Sequence, residues 1–170
     1  MRTRTLLIPI LATAVSSARG DQPAFTFDGA DYFLRSDKDG IREYLTAGET
    51  FERWTTLVSS RRFDGLDDPR AYAQKLLKSA KSSGPAANGQ VLEKDGGGVF
   101  VVDFIVFPPE DAKEQFAEWN LWRVTRKDGG LAAVQFARRF YDFSEASVRE
   151  IKSARDRTIH ALDGLEIGEE

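Results

Sequence analysis

The acidic residue best placed to do chemistry in this sequence is Asp103, which interrupts the apolar run VFVVDFIVF at residues 99–107. A buried carboxylate is costly unless it is paired, and burial favours its protonated form, so Asp103 is a candidate for ligand binding or proton transfer. Hydrolysis by carboxylates alone needs a second acid facing the same cleft, and Glu118 or Glu43 could supply it. The simpler alternative is a structural acid that pairs with an arginine from a neighbouring strand.

Other familiar catalytic chemistries lack their residues in this sequence. His160 is the single histidine and there is no cysteine, which argues against triads, thiol chemistry and ordinary zinc sites. Asp156 and Asp163 lie within a helical turn of His160, so we expect a solvated, ion-paired histidine. The run of glycines at residues 96–98 precedes a strand and not a helix, as a hairpin turn would, so it offers no phosphate site. The sequence predicts no catalytic residue, no metal ion and no cofactor.

Two strands, residues 115–127 and 131–140, are predicted to meet at Asp128-Gly129, a pair suited to a type I′ turn. A two-residue loop sets four antiparallel pairs: Trp122 with Gln135, Glu118 with Arg139, Leu121 with Phe136 and Trp119 with Arg138. One face of the hairpin then mixes polar and aromatic groups, and a ligand could bind there. Of the three tryptophans we expect at least two to be core, and Trp122 to line the groove. The predicted ligand-binding residues are Trp122, Asn120, Gln135, Arg139 and Asp103.

Seven strands and two helices are predicted to position these residues. The strands cover residues 32–35, 41–45, 55–63, 90–94, 99–107, 115–127 and 131–140, with the apolar run 99–107 as a central strand buried on both faces. Residues 49–54 form either a short helical turn or the start of one helix that continues through residue 63. The helices run from Pro69 to about Lys81 and from Ser144 to Gly164. We therefore predict an α+β fold: an antiparallel sheet of about six to seven strands covered by two main helices, resembling an α/β/α sandwich.

The N-terminal segment, residues 1–20, has the pattern of a secretory signal peptide. Two arginines precede an apolar stretch, which ends at small residues suited to cleavage after Ala18 or Gly20. The apolar stretch is about half the roughly 20 residues that a membrane-spanning helix needs. We expect an exported protein of the periplasm or cell exterior, without membrane insertion after cleavage, in which residues 21–170 form a single domain.

Residues 44–58, YLTAGETFERWTTLV, resemble a segment of uncharacterised exported bacterial proteins. In those proteins a glutamate-tyrosine strand runs into a glycine turn and a tryptophan-threonine pair, with a signal peptide before and an amphipathic helix after. The predicted order of elements is also similar to the α/β/α sandwich shared by the Mog1 and PsbP proteins. Both resemblances imply a small adaptor, binding or assembly protein, and neither brings catalytic residues with it.

The charge balance narrows the class of partner. The chain has 24 basic and 27 acidic residues and a net charge of −3, which offers no electrostatic footprint for nucleic acid or anionic lipid. Our leading hypothesis is a non-catalytic binding or interaction protein with an unknown protein or small-molecule partner. The alternatives are a carboxylate-based hydrolase centred on Asp103, and a structural or oligomeric envelope protein that associates through an exposed sheet edge.

Overall fold

Eight strands form one antiparallel sheet in the computed structural model, which describes residues 22–84 and 87–167. The predicted signal segment therefore lies outside the described residues. The strands are β1 (Phe25–Phe27), β2 (Ala30–Lys38), β3 (Ile41–Thr46), β4 (Thr56–Asp64), β5 (Asn88–Lys94), β6 (Val99–Val106), β7 (Ala117–Lys127) and β8 (Gly130–Phe140). Their order across the sheet is β1-β2-β3-β4-β8-β7-β6-β5, which leaves β1 and β5 at the edges. The α+β class and the antiparallel sheet are confirmed, and β1 is the strand that the sequence pattern did not predict.

Both predicted helices are present and begin where their capping residues stand. In α1 (Pro69–Ser82), the Asp68 side chain accepts a hydrogen bond from the amide of Ala71 at 2.9 Å, and Pro69 occupies the first helical position. In α2 (Glu145–Asp163), Ser144 is the N-cap and Gly164 the C-cap. Neither described helix has the length and apolar character that crossing a bilayer requires.

The two helices pack on opposite faces of the sheet. Apolar side chains of α1 contact alternate residues of β6, including Phe100, Val102 and Phe104. The intervening residue Val101 faces α2 and joins the larger core cluster there. Because successive side chains of a strand point to opposite faces, one apolar strand serves both helices. The layers are helix, sheet and helix.

The predicted central position of the apolar run is wrong. β6 lies second from the edge, between β5 and β7, whereas β4 and β8 occupy the middle of the sheet. Residues 100–104 are nevertheless buried on both faces, as predicted. A continuous apolar run indicates that both faces of a strand are buried, but it does not indicate where the strand lies in the sheet. Here the two helices cover both faces of β6 near one edge of the sheet. The helical turn expected at residues 49–54 is also wrong, because this segment is an irregular loop of bends that leads into β4.

The pairing of β7 with β8 follows the predicted register at all four positions, including Trp122 opposite Gln135 and Glu118 opposite Arg139. Asp128 and Gly129 have φ angles of 41° and 79°, the positive values that a type I′ turn requires at both central positions. The glycine run also forms a turn, because a short 3-10 helix (Asp95–Gly97) connects β5 to β6.

Gly89 of β5 is closely packed against both its partner strand β6 and Leu77 of α1. A Cβ atom at this position would lie 2.5–2.9 Å from the Cβ of Phe104, the carbonyl oxygen of Asp103 and a methyl group of Leu77. Two of these atoms belong to β6, which is paired with β5, so they cannot move aside without disturbing the sheet. We therefore expect Gly89→Ala to lower the free energy of unfolding by about 1–3 kcal/mol. Urea unfolding measures the loss. Gly84→Ala is the matched control, because a Cβ at that glycine meets nothing within 4 Å. Equal stability of the two variants would contradict the close approach.

Candidate functional site

Asp103 is held at both carboxylate oxygens. On the α2 face of β6, its Oδ1 accepts a hydrogen bond from the indole nitrogen of Trp119 at 2.9 Å, and its Oδ2 accepts one from Nε of Arg155 at 2.5 Å. The side chains of Asp103 and Arg155 are 11% and 26% exposed. The alternative in which Asp103 pairs with an arginine therefore matches the structure, except that the arginine comes from α2. The residues directly paired with Asp103 on the neighbouring strands are Gln90 and Leu121, so neither position opposite it is an arginine.

The sheet separates Asp103 from both acids considered as its partners. Leu121 is paired with Asp103 and shares its face, and Glu118 lies three residues away on the same strand, so it points to the α1 face. Glu43 reaches the α1 face as well, because it is in register with Trp122 through β4 and β8. Glu43 and Glu118 are themselves about 20 Å apart by strand spacing, beyond the roughly 5–10 Å of a hydrolytic pair.

Five polar side chains on the α1 face form a continuous chain of hydrogen bonds, which we call the polar row: Ser59, Gln135, Asn120, Glu118 and Arg139. The Ser59 hydroxyl donates to Gln135 at 3.0 Å, and the Gln135 amide donates to Asn120 at 2.6 Å. Asn120 in turn donates to a carboxylate oxygen of Glu118 at 3.1 Å, and Arg139 donates to the other at 2.9 Å. The predicted cross-strand pair Glu118–Arg139 is thus one link of a larger network. A network satisfied in this way makes the interior specific and rigid.

Aromatic rings cover the Arg139 end of the polar row. The guanidinium carbon lies 4.0 Å from the ring centre of Trp54 and 4.2 Å from that of Phe116. Such stacking stabilises a cation that is largely removed from water. Trp122 packs instead against the cores beneath α1 and keeps partial exposure, whereas Trp54 and Trp119 are 3% and 1% exposed. The expectation that at least two tryptophans are core is confirmed.

The five predicted ligand-binding residues are therefore divided. The structure brings together Asn120, Gln135 and Arg139 through Glu118, with Trp122 on the same face. Asp103 lies on the other face, bound to Arg155.

His160 is exposed, but the ion pair expected for it is not formed. Asp156 lies 3.8 Å from Arg155, and Asp163 pairs with Lys94. Within the two described ranges, 22–84 and 87–167, no group of three or more histidines and acids is arranged to hold a metal ion.

A concavity of about 430 Å³ lies at the end of β3, β4, β8 and β7 on the α2 face. We call it the basic groove, after the basic residues that line it: Arg42, Arg62, Arg123 and Lys127, whose side chains share the α2 face, and Arg61 and Arg126, whose side chains alternate to the α1 face. Two acids, Asp37 and Glu166, also line it. Sequence reasoning missed this site because the net charge of the chain is acidic. The available signal was the alternation of basic and small polar residues along β7, at Arg123, Thr125 and Lys127.

Comparison with known proteins identifies a family that matches most of the chain. One protein-family model matches residues 21–167, and it describes an uncharacterised family. No curated protein matches the chain.

Removing the charge of Asp103 tests the contacts of its carboxylate with Trp119 and Arg155, which we call the clamp. Asp103→Asn leaves the half-buried guanidinium without its counter-charge, so we expect the free energy of unfolding to fall by about 2–3 kcal/mol. Asp156→Asn is the control, because that carboxylate contacts the same arginine at 3.8 Å but is 97% exposed, and it should change little. Urea unfolding at pH 7 compares the variants, and a double-mutant cycle with Arg155→Leu isolates the pair. Absence of coupling in that cycle would refute the clamp.

Two glutamates should have opposite effects on stability as the pH changes. Burial raises the pKa of Glu43 above 4.5, despite a hydrogen bond from Ser36. Its ionised form is therefore disfavoured in the folded protein, and the wild type gains stability as pH falls through the raised pKa towards 4.5. We expect Glu43→Gln to be the more stable protein at pH 7, with an advantage that disappears at low pH.

Glu49 provides the matched comparison. Burial is the largest single influence and opposes its ionisation, but hydrogen bonds from Thr55, Thr46 and Thr56 together outweigh burial and lower its pKa below 4.5. Its contribution to stability is present above pH 4.5 and is lost as pH falls through the lowered pKa. Glu49→Gln should therefore be less stable than the wild type at pH 7, with a difference that shrinks in acid. Urea unfolding at a series of pH values checks both variants, and changes of the same sign would contradict the assignment.

Proposed function

Because the chain belongs to this uncharacterised family, its function must be argued from its own residues, and we propose that it is an exported, non-catalytic binding protein. The observation that carries the proposal is the separation of its acids. Asp103 is bound by Trp119 and Arg155 on one face of the sheet, while Glu43 and Glu118 lie on the other. Carboxylate hydrolysis needs two such groups at one cleft, so this arrangement favours binding over catalysis.

Export is supported by residues 1–20, whose basic start, apolar stretch and small residues are typical of a secretory signal. The family match begins at residue 21, where the predicted signal ends. Helices on both faces of an antiparallel sheet also agree with the α/β/α resemblance, for which a binding or assembly role is implied.

The basic groove is the binding surface that we favour. Donors and acceptors of the polar row are occupied by one another, and Arg139 is enclosed by two rings. We therefore assign the row a structural role in joining β4, β8 and β7. By contrast, the basic groove is open and lined by charged groups on an otherwise acidic protein. Concave sites with convergent polar groups are the usual locations of ligand binding.

Export and catalysis are tested separately. Produced in a bacterial host with an outer membrane, the chain should appear in the periplasm or medium with an N-terminus at Arg19 or Asp21. Leu11→Arg should keep the chain inside, because a charge interrupts the apolar stretch, whereas Thr3→Ser should be exported normally.

The purified protein should turn over no ester, glycoside or peptide in a substrate library. Turnover that disappears in Asp103→Asn but survives in Asp156→Asn would overturn the non-catalytic assignment. An uncleaved chain retained in the cytoplasm would overturn export.

A further inference from the structure

The structure assigns the basic groove to a compact oxyanion that carries two or more carboxylate or phosphate groups. This assignment names the ligand class of the binding function proposed above and rests on it. Three features carry it: the shape of the floor, the unmatched charge of Arg123 among the basic side chains of the groove, and the size of the space.

The floor of the groove is low because its side chains are small and α2 does not reach it. Ser60, Ala132 and Thr125 lie on adjacent strands, with Ala132 directly opposite Thr125 in the β7–β8 pairing. α2 ends at Asp163, and the following residues turn along one side, where Glu166 lines the groove. Two hydroxyl groups thus lie within a depression whose walls are basic.

Strand pairing places cations on both sides of this floor. Arg42 of β3 is paired with Ser60 of β4, which is paired with Val134 of β8, and Val134 is paired with Arg123 of β7. Arg42 and Arg123 are therefore separated by three strand spacings, or about 14 Å. An anion between them would be approached from two directions, which suits a molecule with more than one negative group.

Arg123, on the α2 face of β7, has no carboxylate partner within the described parts of the chain. Arg61 and Arg126 border the groove but point to the α1 face, because each is one residue along its strand from a residue of the groove floor, Ser60 or Thr125. Arg123 donates to the carbonyl oxygens of Asp163 and Leu165 at 2.5 and 2.9 Å. These contacts hold the guanidinium group of Arg123 in place without neutralising it. A fixed cation loses little freedom when an oxyanion arrives, and guanidinium is the group best matched to carboxylate and phosphate.

Arg123 also retains a donor. Its Nε is buried and has no hydrogen-bond partner among the described residues, although both terminal nitrogens are engaged. A buried donor left unpaired is costly, and it leaves this guanidinium with hydrogen-bonding capacity that the described residues do not use.

The size and borders of the groove favour a small ligand over a polymer or a membrane. Its volume of about 430 Å³ falls within the range of small-molecule sites. Asp37 and Glu166 add negative charge to the lining, which would repel an extended polyanion but leaves room for a compact one. The chain as a whole has a net charge of −3, so little attraction extends beyond the groove.

Calorimetric titration of the purified protein at low ionic strength is the direct test. The probes are citrate as a tricarboxylate, inorganic pyrophosphate as a diphosphate and acetate as a monovalent control. We expect citrate or pyrophosphate to bind at least about tenfold more tightly than acetate, and added sodium chloride to weaken the binding. Binding of citrate alone indicates a carboxylate ligand, and binding of pyrophosphate alone indicates a phosphate ligand. Equal binding of acetate would overturn the assignment, as would binding to phosphatidylglycerol vesicles without binding to either small anion.

Variants with opposite expected effects locate the binding and do not depend on any one of them folding well. Lys127→Gln removes a positive charge from the groove and should weaken the dissociation constant about fivefold, while Glu166→Gln removes a negative charge and should tighten it by a similar factor. Lys75→Gln, on the exposed side of α1, is the matched control and should change it less than twofold. Tighter binding by Glu166→Gln cannot result from misfolding. Affinities that are the same in all three variants would place the anion elsewhere and refute the proposal.

Different results would refute the proposed ligand class and the proposed function. If neither anion binds while the protein is exported and turns nothing over, only the ligand class is wrong. If the protein is retained inside the cell or shows turnover that depends on Asp103, the proposed function itself is wrong, whatever the titrations give.

Discussion

The pairing register of β7 with β8 decides which face of the sheet each charged side chain reaches. The two-residue turn at Asp128 and Gly129 sets this register, and side chains alternate between faces from there. A shift of one residue would move Arg123 away from the groove and would carry Glu118 to the side of Asp103. The separation of acids and the clustering of cations are consequences of the same alternation. Positive φ angles at both turn residues are what hold this register in place.

The clamp on Asp103 shows how a charged group can interrupt an apolar strand without implying catalysis. A carboxylate inside a core is costly to leave unpaired, and here an indole N–H and a guanidinium satisfy its two oxygens. These partners come from β7 and α2, so the same carboxylate connects one strand, its neighbour and the helix above them. The arrangement gives α2 a fixed position on the sheet, which an apolar surface alone would leave less well defined.

Local charge and total charge have different consequences for this protein. The chain is acidic overall, which argues against long-range attraction to nucleic acid or lipid, yet four basic side chains share the α2 face of one groove. Salt screens charges that lie more than roughly one Debye length from a bound ion. The charges close to the ion therefore dominate its binding. The local concentration of positive charge in one small concavity supports a compact anion as the ligand and explains why the net charge was a poor guide to it.

Much of the fold could be predicted because its signals are local. The start of α1 at Pro69, the cap at Ser144, the turn at Asp128 and the burial of residues 100–104 all depend on neighbouring residues, and the structure confirms each of them. The position of β6 near an edge could not be predicted, because burial on both faces is the same wherever helices cover a strand. The partner of Asp103 and the groove between Arg42 and Arg123 were decided by tertiary structure alone. Both depend on which strands and helices become neighbours, and that choice is made by packing across the whole chain.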